Sequence, residues 1–283
     1  MTTKLTNSNL TAEIKHLGAE LCSLKNNTNI EYIWEGNPEF WGKHSPVLFP
    51  IVGTLKNNTY QYNHSEYHLS RHGFARDNEF ELIDKQENSA TFSIQSNAET
   101  RKVYPFDFEL QINYALENNS LTIGYKVINK GVVEMPFSLG AHPALALPGN
   151  FDEYSIEFEK EEPLVYHLLD KDLIADETKT LEVQNKQLKL NYQLFENDAL
   201  IFKSLQSKAL TIYKNGSPLL KFNYEDFPHL GIWTKINAPF LCIEPWFGYS
   251  DSVASTGDLF EKEGVQILQP NAAFDAKFSI DIL

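Results

Sequence analysis

The chain has 283 residues, of which 42% are hydrophobic and 22% charged, enough to bury a sizeable core in one unit or two. Its formal net charge of -14 argues against nucleic acid or a membrane surface as partner, since both rest on clustered positive charge. Two cysteines, Cys22 and Cys242, make no disulfide framework, and neither a basic–apolar leader nor a run of about twenty apolar residues is present; a cytoplasmic protein is expected.

Strand signals dominate from the start. Thr11–Lys15 opens the series, and Thr91–Gln95 alternates apolar with polar residues. Phe108–Tyr114 and Leu121–Ile128 alternate cleanly around Glu117-Asn118-Asn119 and predict a hairpin with one buried face. Tyr154–Glu159 and Leu188–Tyr192 follow. Ala209–Tyr213 and Leu219–Tyr224 are joined by Lys214-Asn215-Gly216-Ser217, where Asn-Gly is a strong turn signal. Leu230–Thr234 and Phe240–Glu244 read as interior strands, and Val265–Leu268 and Ala276–Ile280 close the chain. Helical signals are few: one turn at Pro38–Trp41, and a short helix end or strand start at Asn197–Phe202. The polar stretch 170–187 reads as an excursion between strands. Regular alternation of strands with long helices is absent, so the expected class is all-β, a sandwich or barrel of mainly antiparallel strands in a single domain, 1–283.

Two residues stand out chemically. His142 lies in Gly140-Ala141-His142-Pro143, and Glu244 in Cys242-Ile243-Glu244-Pro245-Trp246. Pro143 biases His142 toward extended backbone, and an imidazole can give or take a proton near neutrality. A glutamate ending an apolar strand either faces water at the strand end or sits in a pocket, where burial raises its pKa and makes it a base matched to neutral pH. A satisfied structural histidine and a salt-bridged glutamate are the plainer alternatives. Cys242 reads as a buried thiol.

A third segment, Arg71-His72-Gly73-Phe74-Ala75-Arg76, holds two of the chain's three arginines. Arginine's planar donor fork suits hydroxyls or an anion, though Arg76 with Asp77 also makes an ordinary local ion pair. Asp198 is suited either to accept sugar hydroxyls or to cap a helix. Trp246 is suited to stack on a sugar ring or to fill the core. Metal chemistry finds little support: His64 and His68 lack the metalloprotease glutamate, and no Cys-x-x-Cys occurs. P-loop, dinucleotide and serine-elbow motifs are absent too.

In order and spacing, these segments resemble the aldose 1-epimerase (galactose mutarotase) family over nearly the whole chain. The likeness runs from Gly18-Ala19-Glu20-Leu21 and Trp34 through Pro46-Val47-Leu48-Phe49-Pro50-Ile51-Val52-Gly53, Arg71–Arg76 and Gly140–Pro143 to Cys242–Trp246. It is nearest the branch that includes LacX-type proteins and hexose-6-phosphate epimerases. The resemblance implies a galactose mutarotase-like β-supersandwich with an open cleft, His142 as general acid and Glu244 as general base. It implies His72 near the sugar's ring oxygen, Asp198 on its hydroxyls, and Trp246 as a stacking candidate. No cofactor is needed. The short Arg71–Arg76 form, shared with the phosphosugar branch, leaves a free aldohexose slightly ahead of a hexose 6-phosphate, for which Lys43, Lys56, Arg71 and Arg76 are the available cations. A non-catalytic carbohydrate-binding protein is the main alternative; a hydrolase using Asp198 and Glu244 is another. The expected partner is a small sugar or sugar phosphate, and the expected state a monomer or weak homodimer.

Overall fold

The computed structural model describes residues 1–283. Strands alternating buried and open side chains pair into two large antiparallel sheets, one of nine strands and one of eight. The nine-stranded sheet is built around Phe108–Glu117, Ser120–Asn129 and Ala273–Ile282. Ser120–Asn129 pairs with Phe108–Glu117 on one side and Ala273–Ile282 on the other, in unbroken register. The eight-stranded sheet centres on Phe240–Phe247, which lies beside His229–Trp233 on one side and Leu139–Ala141 and Ala144–Ala146 on the other.

One apolar cluster joins the two sheets. Leu121, Ile123 and Val127 enter it from the nine-stranded sheet, and Leu200, Phe202, Leu230, Ile232, Leu241 and Ile243 from the eight-stranded one. Full burial of each such side chain contributes about 1.5–3 kcal/mol. Strand alternation then sends Ile201, Gly231, Trp233, Cys242, Glu244 and Trp246 to the opposite face of the eight-stranded sheet. That face is covered as well, so all eight residues of Phe240–Phe247 are buried.

Most expected strands are present, with differences that have physical causes. Of Leu188–Tyr192, only Leu188 and Lys189 are strand, within Gln187–Lys189; the Asn191 side chain accepts from the Leu194 N–H and starts a single 3-10 turn, Tyr192–Phe195. The 170–187 stretch is largely a strand, Leu173–Leu181, forming an edge hairpin with Leu164–Asp170. The single α-helix, Ala98–Val103, was not expected; a capping box between Asn97 and Thr100 starts it. Leu200–Phe202 is a strand, which resolves the ambiguity at 197–202. His64 lies in the turn of the hairpin Thr59–Tyr62/Ser65–His68, and His68 approaches Glu66, not a second histidine. No helix is long and apolar enough to cross a membrane.

Candidate active site

Register builds the centre of the site. Gly140 pairs with Trp246 and Ala144 with Cys242, so His142 lies directly opposite Glu244. Pro143 and Pro245 each lack an N–H, which interrupts the ladder here, and Ile243 N–H donates to the Pro143 carbonyl. Facing residues of antiparallel strands project to the same side. His142 Nε2 accordingly stands 3.2 Å from Glu244 Oε2, with both side chains nearly enclosed. The second imidazole nitrogen, Nδ1, is buried without a partner.

Two glycines make room for the indole of Trp246. A Cβ on Gly231 would lie 2.5 Å from its ring and one on Gly140 2.6 Å from it. Trp246 is thereby wedged into the cavity floor, with its Nε1 unpartnered. Trp41 stacks on His142 at 4.8 Å between centroids, and Trp233 meets the same imidazole edge-on at 5.9 Å. Neither tryptophan was singled out from sequence. For Trp233 a signal existed: it follows Gly231 and precedes a strand end at the same-face spacing of two.

The cavity has a volume of about 320 Å³, at the small end of the ~300–1,000 Å³ typical of small-molecule sites. Its walls bring together every site residue expected from sequence: His142, Glu244, His72, Arg71, Arg76, Asp198 and Trp246. Two of the candidate cations do not reach it. Lys43 pairs with Asp77 at 2.9 Å, and Lys56 Nζ donates to the Val253 carbonyl.

His72 is held in left-handed backbone, φ 68°. Its Nδ1 accepts from the Gly53 N–H at 3.1 Å. Gly53 is itself left-handed and packs against Ser250, where no Cβ would fit. The segment after Ser250 anchors this loop: Asp251 accepts from the Lys56 N–H and pairs with the buried Lys262 at 2.8 Å. Arg71 Nε–H donates to His72 Nε2 at 3.3 Å, and Arg71 Nη1 reaches Asp172 at the tip of the edge hairpin, 3.2 Å away. Arg76 Nη2 donates to the Arg71 carbonyl; its Nε lies 3.7 Å from Asp77 and is buried without a hydrogen bond. Asp198 precedes a strand, so it caps no helix. Its Oδ1 accepts from the Ala199 N–H at 2.7 Å.

Burial governs the protonation of the site. It pulls His142 down to about 3, with Arg71 and Arg76 acting in the same direction. Burial also holds His72 well below the ordinary histidine range, reinforced by His142 and the two arginines. It pushes Glu244 well above the ordinary carboxyl range; Arg71 opposes this and Asp198 adds to it. Burial thus disfavours the charged form of both groups and biases the enclosed pair toward carboxylic acid beside imidazole. Cys242 is a free thiol, completely buried behind them.

Comparison with known proteins agrees with this architecture. The aldose 1-epimerase family model matches residues 1–280. The plasmid-encoded LacX protein of Lactococcus lactis subsp. lactis is 37% identical, with 100% of each chain covered. A galactose mutarotase related enzyme from Lactobacillus acidophilus superimposes with a TM-score of 0.95 at 36% identity, over 100% of this chain and 97% of that one. A galactose mutarotase-like protein from Lactobacillus casei ATCC 334 gives 0.95 at 30% identity, with 100% of both chains covered. The chain belongs to the aldose 1-epimerase family.

Proposed function

We propose that residues 1–283 form one domain that interconverts the α and β anomers of an aldohexose. Glu244 takes the proton of the anomeric hydroxyl while His142 protonates the ring oxygen. The C1–O5 bond opens, the aldehyde turns, and closure from the other face reverses both transfers. His72 lies near the ring oxygen, Asp198 accepts sugar hydroxyls, and Trp246 lies under the ring. The observation that carries the reading is the 3.2 Å opposition of His142 and Glu244 inside a cavity of sugar size.

The protonation balance fits this chemistry. Ring opening starts from carboxylate and imidazolium and ends with carboxylic acid and imidazole. Both stages hold one proton on the pair, and burial biases the pair toward the second. Opening the ring thus discharges an ion pair in a low-dielectric space, and alignment of both groups on one sugar lowers the barrier further. No cofactor enters any step.

One observation favours a second substrate class. Two guanidinium-bearing residues, Arg71 and Arg76, line the same cavity, and together they are suited to an anion, as on a hexose 6-phosphate. Polarimetry or anomer-resolved NMR with fresh α-glucose, α-galactose and their 6-phosphates tests both readings. Acceleration of equilibration by the chain is expected. Binding of a sugar without acceleration would favour a carbohydrate-binding protein, and no effect on any of the four would overturn the enzymatic reading.

A further inference from the structure

Cys242 has no part in the acid–base scheme, yet the fold sets it against the catalytic pair. It precedes Glu244 by two residues on Phe240–Phe247, so both side chains leave the strand on the same face. Its register partner, Ala144, lies two residues past His142. One sulfur, one imidazole nitrogen and one carboxylate oxygen consequently all lie within 4.8 Å of one another, on three buried residues. Thiolate, imidazole and carboxylate are the protein ligands of zinc. The 3.2 Å between His142 Nε2 and Glu244 Oε2 already matches the roughly 3.3 Å edge of a tetrahedron with bonds of about 2.0–2.1 Å. The sulfur lies within 4.8 Å of both, against an edge of roughly 3.6 Å for bonds of about 2.3 Å to sulfur and 2.0–2.1 Å to nitrogen or oxygen.

We propose that His142, Cys242 and Glu244 form an inhibitory site for Zn2+, entered from the sugar cavity, with the fourth ligand position facing the space of the anomeric hydroxyl. Charge favours the complex. The ion's two positive charges meet one thiolate and one carboxylate, while the imidazole stays neutral, so the enclosed cluster carries no net charge. The protons displaced from sulfur and carboxyl leave to solvent as the metal binds. Access runs past His142 and Glu244, which line the cavity; Cys242 lies behind them, in a cluster with Trp41 and Trp233. The bound ion occupies the lone pairs that the epimerase reaction needs, and that inhibitory consequence rests on the proposed function. The binding itself does not.

The test is a zinc titration of the chelator-stripped, tag-free chain against a chromophoric chelator, with circular dichroism to verify folding of each variant. One tight equivalent is expected in the parent chain, weakened on the order of a hundredfold or more in Cys242→Ala and in Glu244→Gln. Co2+ in place of Zn2+ should give thiolate-to-metal absorption in the parent and none in Cys242→Ala. Anomer interconversion should fall with the same zinc midpoint and return on adding EDTA. Parent chain that takes up no zinc at micromolar concentration, or Cys242→Ala binding as tightly as the parent, overturns the site. One equivalent bound by a chain without epimerase activity would uphold the site and sink the acid–base reading instead.

Discussion

Ser120–Asn129 and Phe240–Phe247 are both inner strands of large antiparallel sheets, and they are built in opposite ways. Ser120–Asn129 alternates strictly between buried and half-open residues and pairs without interruption on both sides. Phe240–Phe247 is buried throughout, faces two glycines, and meets a partner broken by His142-Pro143. The first strand has one task, closing the core. The second closes the core with Leu241 and Ile243, and with the other face holds Glu244 and Trp246 in a cavity. Polar groups are enclosed there because a covered face, glycine gaps and proline-interrupted pairing give them a cavity to line.

That contrast can be broken by experiment, beginning with the largest effect. Glu244→Gln and His142→Asn should each lower kcat by about 10²–10⁴-fold with an unchanged circular dichroism spectrum; near-parental kcat in both would remove the proposed roles. On the other strand, Ile123→Ala should cost about 2–5 kcal/mol of stability, read by urea denaturation, while kcat per folded molecule stays at the parental value. The glycines allow a matched pair. Gly231→Ala drives a methyl into the Trp246 ring and should cost about 1–3 kcal/mol and raise KM. Gly124→Ala meets only the Asn113 Cβ at 3.9 Å and should stabilise by about 0.5–1 kcal/mol. Equal Tm shifts in the two variants would erase the distinction between the strands.

The smallest effect concerns pH. The carboxyl of Glu244 is raised in the folded state, so the unfolded chain releases this proton first. Its contribution to stability is complete below the unfolded pKa and is lost, at up to about 1.4 kcal/mol per pH unit, as pH rises toward the folded value. Glu244→Gln has nothing to ionise there, and its Tm advantage over the parent should widen from pH 5 to pH 9. A constant difference across that range would mean that the carboxyl is not held protonated by burial.

Legibility in the sequence follows the same division. Phe108–Glu117 and Ser120–Asn129 could be read because one face is buried and the other open, which writes a period of two into the residues. The hairpin Leu164–Asp170/Leu173–Leu181 could not, because residues 176–180 are exposed on both faces at a sheet edge. His142 and Glu244 were noticeable as polar residues beside prolines in apolar runs. Their meeting depends on register between distant strands, which local pattern does not encode. Cys242 and Glu244 share a face by simple alternation, yet their closeness to His142 needed the fold. Trp41 was legible only as part of a turn, and its stacking on His142 is a tertiary fact.

The contact between Arg71 and Asp172 has a consequence for kinetics. It is a solvent-exposed ion pair, with side chains 44% and 53% accessible, so it contributes little to stability and is screened by salt. It also ties the loop beside His72 to the tip of the edge hairpin. Electrolyte that shields the two charges frees the guanidinium, and on the proposed function the KM for sugar should then vary with ionic strength.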